Sequence, residues 1–290
     1  MKRKYGYFLI APFFIVFLVF GLYPIIYTFY LSFFQWDGIS DLSFQGVMNY
    51  KVMLEDPIFW LSIRNTLKIW IVNFIPQIGF ALLLAGIFTF NKIRGMSFFR
   101  AIFYLPNLLT AASVGLLFNL LFQGDNSVIN TLLLNIGIIG EPIRFFSSPV
   151  FTSLITSYVQ WWMWFGYTLI IIMAGMSSID ESIYEAAMID GANKLRIFRS
   201  ITIPQIRPTI IYLMLTSIIG GMQLFDVPAT ITDGMGAPDK SILTISMYIY
   251  NHGFKSYNMG YAATLSIGLF VVIAILSIIY LLVQRKGAKK

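Results

Sequence analysis

Cysteine is missing from this chain, and histidine occurs once, as His252. Without thiols there is no disulfide, thiolate metal site or iron–sulfur cluster, and a single imidazole leaves little room for a zinc site or a histidine-based triad. Charge is scarce as well. Asp, Glu, Lys and Arg make up 11% of the 290 residues, against about 25% in soluble domains, so a surface wetted on all sides is hard to build. Acids are the rarer sign, 13 against 20 bases, for a net charge of +7. No G-x-x-x-x-G-K-[ST] string occurs, so the chain has no P-loop to cradle nucleotide phosphates. The Gly253-Phe254-Lys255-Ser256 string lacks the leading glycine spacing.

What is present is apolar: 58% hydrophobic residues and 17% aromatics, with a mean hydropathy of +0.76. Bilayer is the natural solvent for such a chain, and spans should show as apolar runs of about 20 residues. Six runs qualify, at about 7–32, 66–90, 98–122, 150–177, 208–227 and 259–284. The first follows Met-Lys-Arg-Lys, but it is too long for the roughly 7–15-residue core of a signal peptide, and no small-residue cleavage site follows. It is read as a retained span.

With the N-terminus in the cytoplasm, the inner segments and their margins hold 14 of the 20 bases and four of the 13 acids. They include Arg94, Arg100, Lys194, Arg196, Arg199, Arg207 and Arg285, together with Lys92, Lys289 and Lys290. The positive-inside rule then predicts an all-α membrane protein of six transmembrane helices, N-in and C-in, forming one domain over 1–290. This asymmetry accounts for the net charge without nucleic acid. The outer loop near 33–65 is long enough for a short surface helix. The loops near 123–149 and 228–258 carry polar turns, and the Ile242–Phe254 stretch reads as an interfacial or re-entrant helix.

One cytoplasmic segment, 178–207, is polar and orderly. Ser182 to Ile189 reads as a helix with small Ala186 and Ala187 on it. Gly191 permits a turn, and a second helix from Asn193 places Leu195, Phe198 and Ile201 or Thr202 on one face. Pro204 and Pro208 discourage simple continuation into the next span. From the residues alone, three roles stay open: docking of a partner protein, contact with anionic lipid, and an ordinary solvated loop. In the fourth span, Gln160, Trp164 and Tyr167 at i, i+4 and i+7 share a face near mid-membrane. Such a face suits a sugar, which offers C–H faces and hydroxyls, or simple helix packing. Ser217, Gly220, Gly221 and Gln223 in the fifth span are open to the same two readings.

The segment Glu185-Ala186-Ala187, three residues, Gly191, nine residues, then Ile201-x-Ile203-Pro204 resembles the EAA loop of ABC-importer membrane subunits, with Ile203 where Leu is usual. The fuller string EAAMIDGANKLRIFRSITIP is similar to the carbohydrate-uptake branch, the multiple-sugar or maltose type. The likeness extends through FLIAPFFIVFLVFGLYPIIYTFYLSFFQWDG, FFRAIFYLPNLL and MYIYNHGFKSYNMGYAATLSIGLF, while Asp-Gly-Met-Gly-Ala-Pro departs from the usual Gly-Gly-Pro turn.

The resemblance implies a type I ABC importer permease fold with a cytoplasmic coupling helix pair that sits in a cleft on an ATPase subunit. Glu185 would pair with a base there, and Gly191 would form the turn. Ala186, Ala187, Ala192 and Phe198 would make close contact, with Asp190 and Pro204 completing the motif. Sugar contacts are implied at Gln160, Met163, Trp164, Tyr167, Ser217 and Gly221, and at Gln223 with less support. The implied partners are a second related permease subunit (a heterodimer, or a homodimer), two cytoplasmic ABC ATPases and an extracytoplasmic sugar-binding protein. ATP and Mg would reside on the ATPases, so this chain is expected to carry no cofactor, metal or enzymatic site. Its place is a bacterial cytoplasmic membrane, surrounded by lipid, and its cargo a neutral di- or oligosaccharide. An ion-gradient-driven secondary transporter is the alternative. It calls for ionisable residues along a buried path, whereas Lys68 and Asp226 fall near span ends. A membrane-embedded enzyme ranks last, for want of paired carboxylates or a nucleophile with a base at membrane depth.

Overall fold

The computed structural model describes residues 2–91 and 94–287. Lys92, Lys289 and Lys290, counted above among the cytoplasmic bases, lie outside the described residues. In chain order the elements begin with α1 (Lys2–Val16), a π-helical turn (Phe17–Leu22), α2 (Tyr23–Leu31), and a hairpin of β1 (Phe34–Gln35) and β2 (Ser43–Phe44). There follow α3 (Met48–Glu55), α4 (Pro57–Phe90), α5 (Met96–Leu108), α6 (Ala111–Phe122), α7 (Val128–Asn135) and α8 (Pro149–Ser177). Next come α9 (Glu181–Ile189), α10 (Lys194–Ile197) running into a π-turn (Phe198–Thr202), α11 (Ile203–Gln205), α12 (Arg207–Met222) and α13 (Asp226–Ile231). Last are α14 (Ile245–Tyr250), continued by a π-turn (Asn251–Lys255), and α15 (Met259–Gly287).

Among the described residues, five helical stretches are long and apolar enough to cross a membrane: Leu9–Leu31, Pro57–Phe90, Pro149–Ser177, Arg207–Ile231 and Met259–Arg285. The run expected as one continuous span at 98–122 is instead broken. Helices α5 and α6 meet at 91°. Pro106 sits in the last turn of α5, Leu109 adopts an extended backbone, and the Thr110 hydroxyl caps α6 by accepting the Ser113 N–H at 3.3 Å. A proline without an N–H followed by an N-cap ends one helix and starts another. The second span starts nine residues earlier than expected, because Pro57 suits a first helical position and the Asp56 carboxylate accepts the Ile58 N–H at 2.8 Å. The fifth is interrupted after Met222, and helix resumes at Asp226.

Contacts divide the chain into two compact units, Met1–Leu61 with Ile245–Lys290, and Ser62–Thr244. In the first, α15 packs along α2 and α3. The Thr264 hydroxyl donates to the Ser32 carbonyl at 3.0 Å, and the Met259 N–H to the Trp36 carbonyl at 2.8 Å. The Asp56 carboxylate accepts hydrogen bonds from the hydroxyls of Tyr248 and Tyr261, whose rings flank His252 edge to face. Burial pushes the Tyr248 hydroxyl up, helped by the neighbouring carboxylate, and pushes His252 down.

In the second unit α8 is the central element, buried along much of its length. Helix α5 lies directly on it. A Cβ on Gly166 would stand 1.8 Å from the Phe103 carbonyl oxygen, so only glycine allows this approach. One apolar cluster gathers Ile69, Val114, Phe118, Val159, Met163 and Val227, and another gathers Ala81, Ala85, Leu169, Ile172 and Leu213.

Two expectations follow. Gly166→Ala should lower the stability of the purified chain by about 1–3 kcal/mol, the usual cost of overpacking, read as a fall in Tm. Gly79→Ala should lower nothing, because a Cβ there meets no atom within 4 Å. At Asp56, burial opposes the charge, but the bonds from Tyr248, the Ile58 N–H and Tyr261 outweigh it and hold the carboxyl below its ordinary 3.8. The resulting stabilisation is present above that pH and is lost as pH falls through the lower folded value. Acid titration of the thermal midpoint should show this loss in the wild type. Asp56→Asn should flatten it and cost about 1 kcal/mol at neutral pH.

Candidate functional site

Three helices of the second unit, α4, α8 and α12, enclose a cavity of about 350 Å³. From α8 come Gln160, Met163, Trp164, Tyr167 and Thr168; from α12 come Leu213, Thr216, Ser217, Gly220 and Gly221; Gln223 and Asp226 follow just beyond. All seven residues expected at a sugar path, Gln160, Met163, Trp164, Tyr167, Ser217, Gly221 and Gln223, line this one space. Trp164 is 46% exposed and meets Tyr167 edge to face at 5.9 Å. The Tyr167 and Tyr212 hydroxyls lie 3.4 Å apart.

The third wall is α4, which sequence reasoning missed. Trp70, Asn73, Phe74 and Gln77 occupy i, i+3, i+4 and i+7 and therefore share a face. That spacing is the same signal that marked α8. The Gln77 amide donates to the Thr168 hydroxyl at 2.6 Å and to the Trp164 carbonyl at 3.3 Å, and the residue is only 6% exposed. The Trp70 indole N–H donates to the Ser217 hydroxyl at 2.8 Å. Among the described lining residues Asp226 is the one charged side chain, and none is Lys, Arg or His. The cavity therefore offers amides, hydroxyls and aromatic surface, which suits a polar ligand without charge. No group of three His, Asp or Glu side chains among the described residues could hold a metal ion.

A second constellation gathers at the Phe90 end of α4. Helix α9 is capped at its start by Asp180, whose carboxylate accepts the Ser182 N–H at 2.9 Å, and those bonds to Ser182 hold the acid below its ordinary value. At its end the Ala192 N–H reaches the Ala187 carbonyl and the Gly191 N–H the Met188 carbonyl, both at 3.0 Å. Gly191 has φ +78°. This is a Schellman closure, which needs a left-handed residue at that point. Asn193 then caps α10 by accepting the Arg196 N–H at 2.8 Å. Tyr184 packs edge-on against Phe90 at 5.6 Å, and the Lys194 ammonium donates to Asn91 at 2.9 Å, fastening the helix pair to α4.

Of the coupling residues expected from the EAA pattern, Glu185, Ala186, Asp190, Gly191 and Pro204 are exposed, and Ala187 and Ala192 half-buried. Glu185 forms no ion pair among the described residues. Phe198 is different. It was expected on the surface that meets an ATPase, but its ring lies against Gly86 of this chain, where a Cβ would come within 2.9 Å, and beside Phe90. A phenyl ring next to a bare helix backbone gains more burial inward than outward. The expected apolar ridge through Leu195 and Phe198 is likewise divided. Ile197 and Thr202 are fully buried, whereas Met188, Ile189 and Leu195 face outward, Ile189 being 85% exposed. Of these three exposed apolar side chains, Leu195 was expected on the apolar face, and Met188 was not singled out.

Comparison with known proteins places this geometry. Residues 77–288 match the family described as the binding-protein-dependent transport system inner membrane component. The chain is 37% identical over 290 residues to the lactose transport system permease protein LacF of Rhizobium radiobacter, covering 99% of this chain and 97% of that one. It is 32% identical to the arabinooligosaccharides transport system permease protein AraP of Bacillus subtilis strain 168, over 97% of this chain and 88% of that one. It is similar in fold to a solved bacterial ABC transporter involved in import of the acidic polysaccharide alginate, at a TM-score of 0.80 and 23% identity, covering 98% of this chain and 96% of that one. A second such structure, at a TM-score of 0.80 and 24% identity over 96% of this chain and 93% of that one, was solved with an alginate pentasaccharide-bound periplasmic protein. With five or six apolar helices among the described residues and this family match, the chain is a multi-pass protein of the cytoplasmic membrane. It belongs to the inner membrane components of binding-protein-dependent transport systems, the permease subunits of ABC importers.

Proposed function

We propose that this permease subunit carries a neutral di- or oligosaccharide through the cavity between α4, α8 and α12. The observation that supports this most is the lining itself: aromatic rings, amides and hydroxyls on three helices, with no basic side chain among the described lining residues. A pyranose presents apolar C–H faces and a rim of hydroxyls, and this lining complements both. An anionic sugar would meet Asp226 and no countercharge. Among the described lining residues of α4, α8 and α12 none is Asp, Glu, Lys, Arg or His, which also disfavours the ion-gradient alternative.

Residues 1–290 act, in this reading, as one permease domain with six crossings, N-in and C-in, the bent pair α5–α6 serving as one of them. The exposed α9–α10 pair docks on a separate ABC ATPase, with Glu185 meeting a base on that subunit. Ala186, Ala187, Asp190, Gly191, Ala192 and Pro204 shape the contact, and the exposed side chains of Met188, Ile189 and Leu195 add to it. Phe198 contributes from behind by holding the pair against α4. ATP and Mg belong to two such ATPases. A second permease subunit completes the pathway, and an extracytoplasmic binding protein delivers the sugar. Closure of the ATPases moves the helix pair and switches access to the cavity from one side to the other.

The test is uptake of lactose and an arabino-oligosaccharide by the complete transporter in liposomes. Uptake should require ATP and the binding protein, and uptake by this chain alone without ATP would overturn the reading. Gly191→Asp should leave the fold intact, since Asp tolerates a left-handed backbone and no atom lies within 4 Å of a Cβ there. An unpaired charge in a closed contact costs about 2–5 kcal/mol. ATP-driven uptake should therefore fall on the order of 100-fold, with membrane insertion unchanged. Normal uptake by this variant would exclude the docking role.

A further inference from the structure

Ser217 and Gly221 reach the cavity from α12, yet neither presents itself freely to a ligand there. The Ser217 hydroxyl already accepts the Trp70 indole N–H at 2.8 Å. A Cβ on Gly221 would stand 2.0 Å from Trp70 Cδ1, so the indole occupies the space that any side chain at 221 would fill. On its own helix Trp70 stacks with Phe74, centroids 5.6 Å apart and planes 17° from parallel. The indole is thus held at three points, a hydrogen bond, a bare backbone and a stacked ring, and it still lines the cavity and remains part-exposed.

We propose that Trp70 is a specificity-determining residue of the transport path, its indole being the aromatic surface on α4 against which the sugar's C–H face lies. Ser217 and Gly221 are positioning residues that act through it. This rests on the sugar-importer reading above. A tryptophan serving only to fill space would be shielded from the cavity, whereas Trp70 is part-exposed and lines it. Here the amphipathic ring is fixed in orientation at the wall of a wet cavity, where an oriented aromatic surface selects ligands by shape. Trp164 and Tyr167 supply a second aromatic wall from α8, and the Asn73 and Gln77 amides lie on the same α4 face as Trp70. A pyranose between two such walls has its C–H faces covered and its hydroxyl rim turned to the amides.

The experiment is a pair of double-mutant cycles in the complete transporter in liposomes, with lactose and an arabino-oligosaccharide as probes. Trp70→Leu should lower the uptake efficiency by about tenfold, the scale of one lost aromatic contact, and should change the ratio between the two sugars. Trp70→Phe, which keeps an aromatic ring and loses the N–H, should lose less and protects the test against misfolding of the leucine variant. Gly221→Ala should lower uptake about as much as Trp70→Leu by displacing the indole, and should cost nothing further in the Trp70→Leu background. Ser217→Ala and Trp70→Phe remove the same hydrogen bond, so their combination should equal either alone.

The proposal is overturned if Trp70→Leu keeps the wild-type efficiency and sugar ratio. It is equally overturned if Gly221→Ala does its full damage in the Trp70→Leu background, since Gly221 would then act by itself. Failure of the wild type to transport either sugar would instead strike the sugar reading, and this inference with it.

Discussion

A side-chain amide buried among membrane helices has no water to turn to, and in this protein the Gln77 amide answers that constraint by joining α4 to α8. Its NH2 group reaches both the Thr168 hydroxyl and the Trp164 carbonyl. Leaving such a group unpaired in an apolar surrounding costs about 1–3 kcal/mol, so the register between the two helices is tightly set. That register aligns the polar face of α4, Trp70 to Gln77, with the polar face of α8, Gln160 to Tyr167, and the cavity is the space left between them and α12. Around it, close helix approach at Gly166 and the apolar clusters along α8 supply stability, and Met163 and Leu213 belong both to those clusters and to the lining.

The same helix links the cavity to the α9–α10 pair. Past Gln77, α4 continues to Gly86, Phe90 and Asn91, and there it receives Phe198, Tyr184 and Lys194 of the helix pair. Thirteen residues separate Gln77 from Phe90, about 20 Å along one helix at 1.5 Å per residue. A displacement of the pair is therefore applied to an element that also forms a wall of the cavity. Transmission through a single packed helix needs no chain of small rearrangements. Phe198, turned inward onto Gly86, belongs to that attachment.

Much of this was legible in the chain. The apolar runs located the membrane helices, because an uncharged run of 20 residues has few alternatives to spanning. Gly191 is local chemistry, and the turn formed there, with the second helix starting after Asn193. The i, i+4, i+7 spacing brought Gln160, Trp164 and Tyr167 to one face, and the residues implied on α12 reached the same cavity. The bend between α5 and α6 was hidden because hydropathy is blind to geometry: Pro106 and Thr110 end and restart the helix without interrupting the apolar run. The α4 stripe was hidden by an apolar sequence on every side of it. Phe198 and Gly221 needed tertiary contacts, since only the facing residues, Gly86 and Trp70, reveal what a ring or a missing side chain is for.

The central claim is that the cavity between α4, α8 and α12 is the translocation path and that ATP switches the side from which it is reached. Because the chain has no cysteine, a single Thr216→Cys substitution places a reporter on the exposed wall of that cavity. The measurement is its reaction rate with a membrane-impermeant maleimide, added to either side of the membrane in the complete transporter. The predicted result is labelling from the cytoplasmic side without nucleotide and from the outer side when ATP is trapped. Labelling from the same side at the same rate in both states would contradict it.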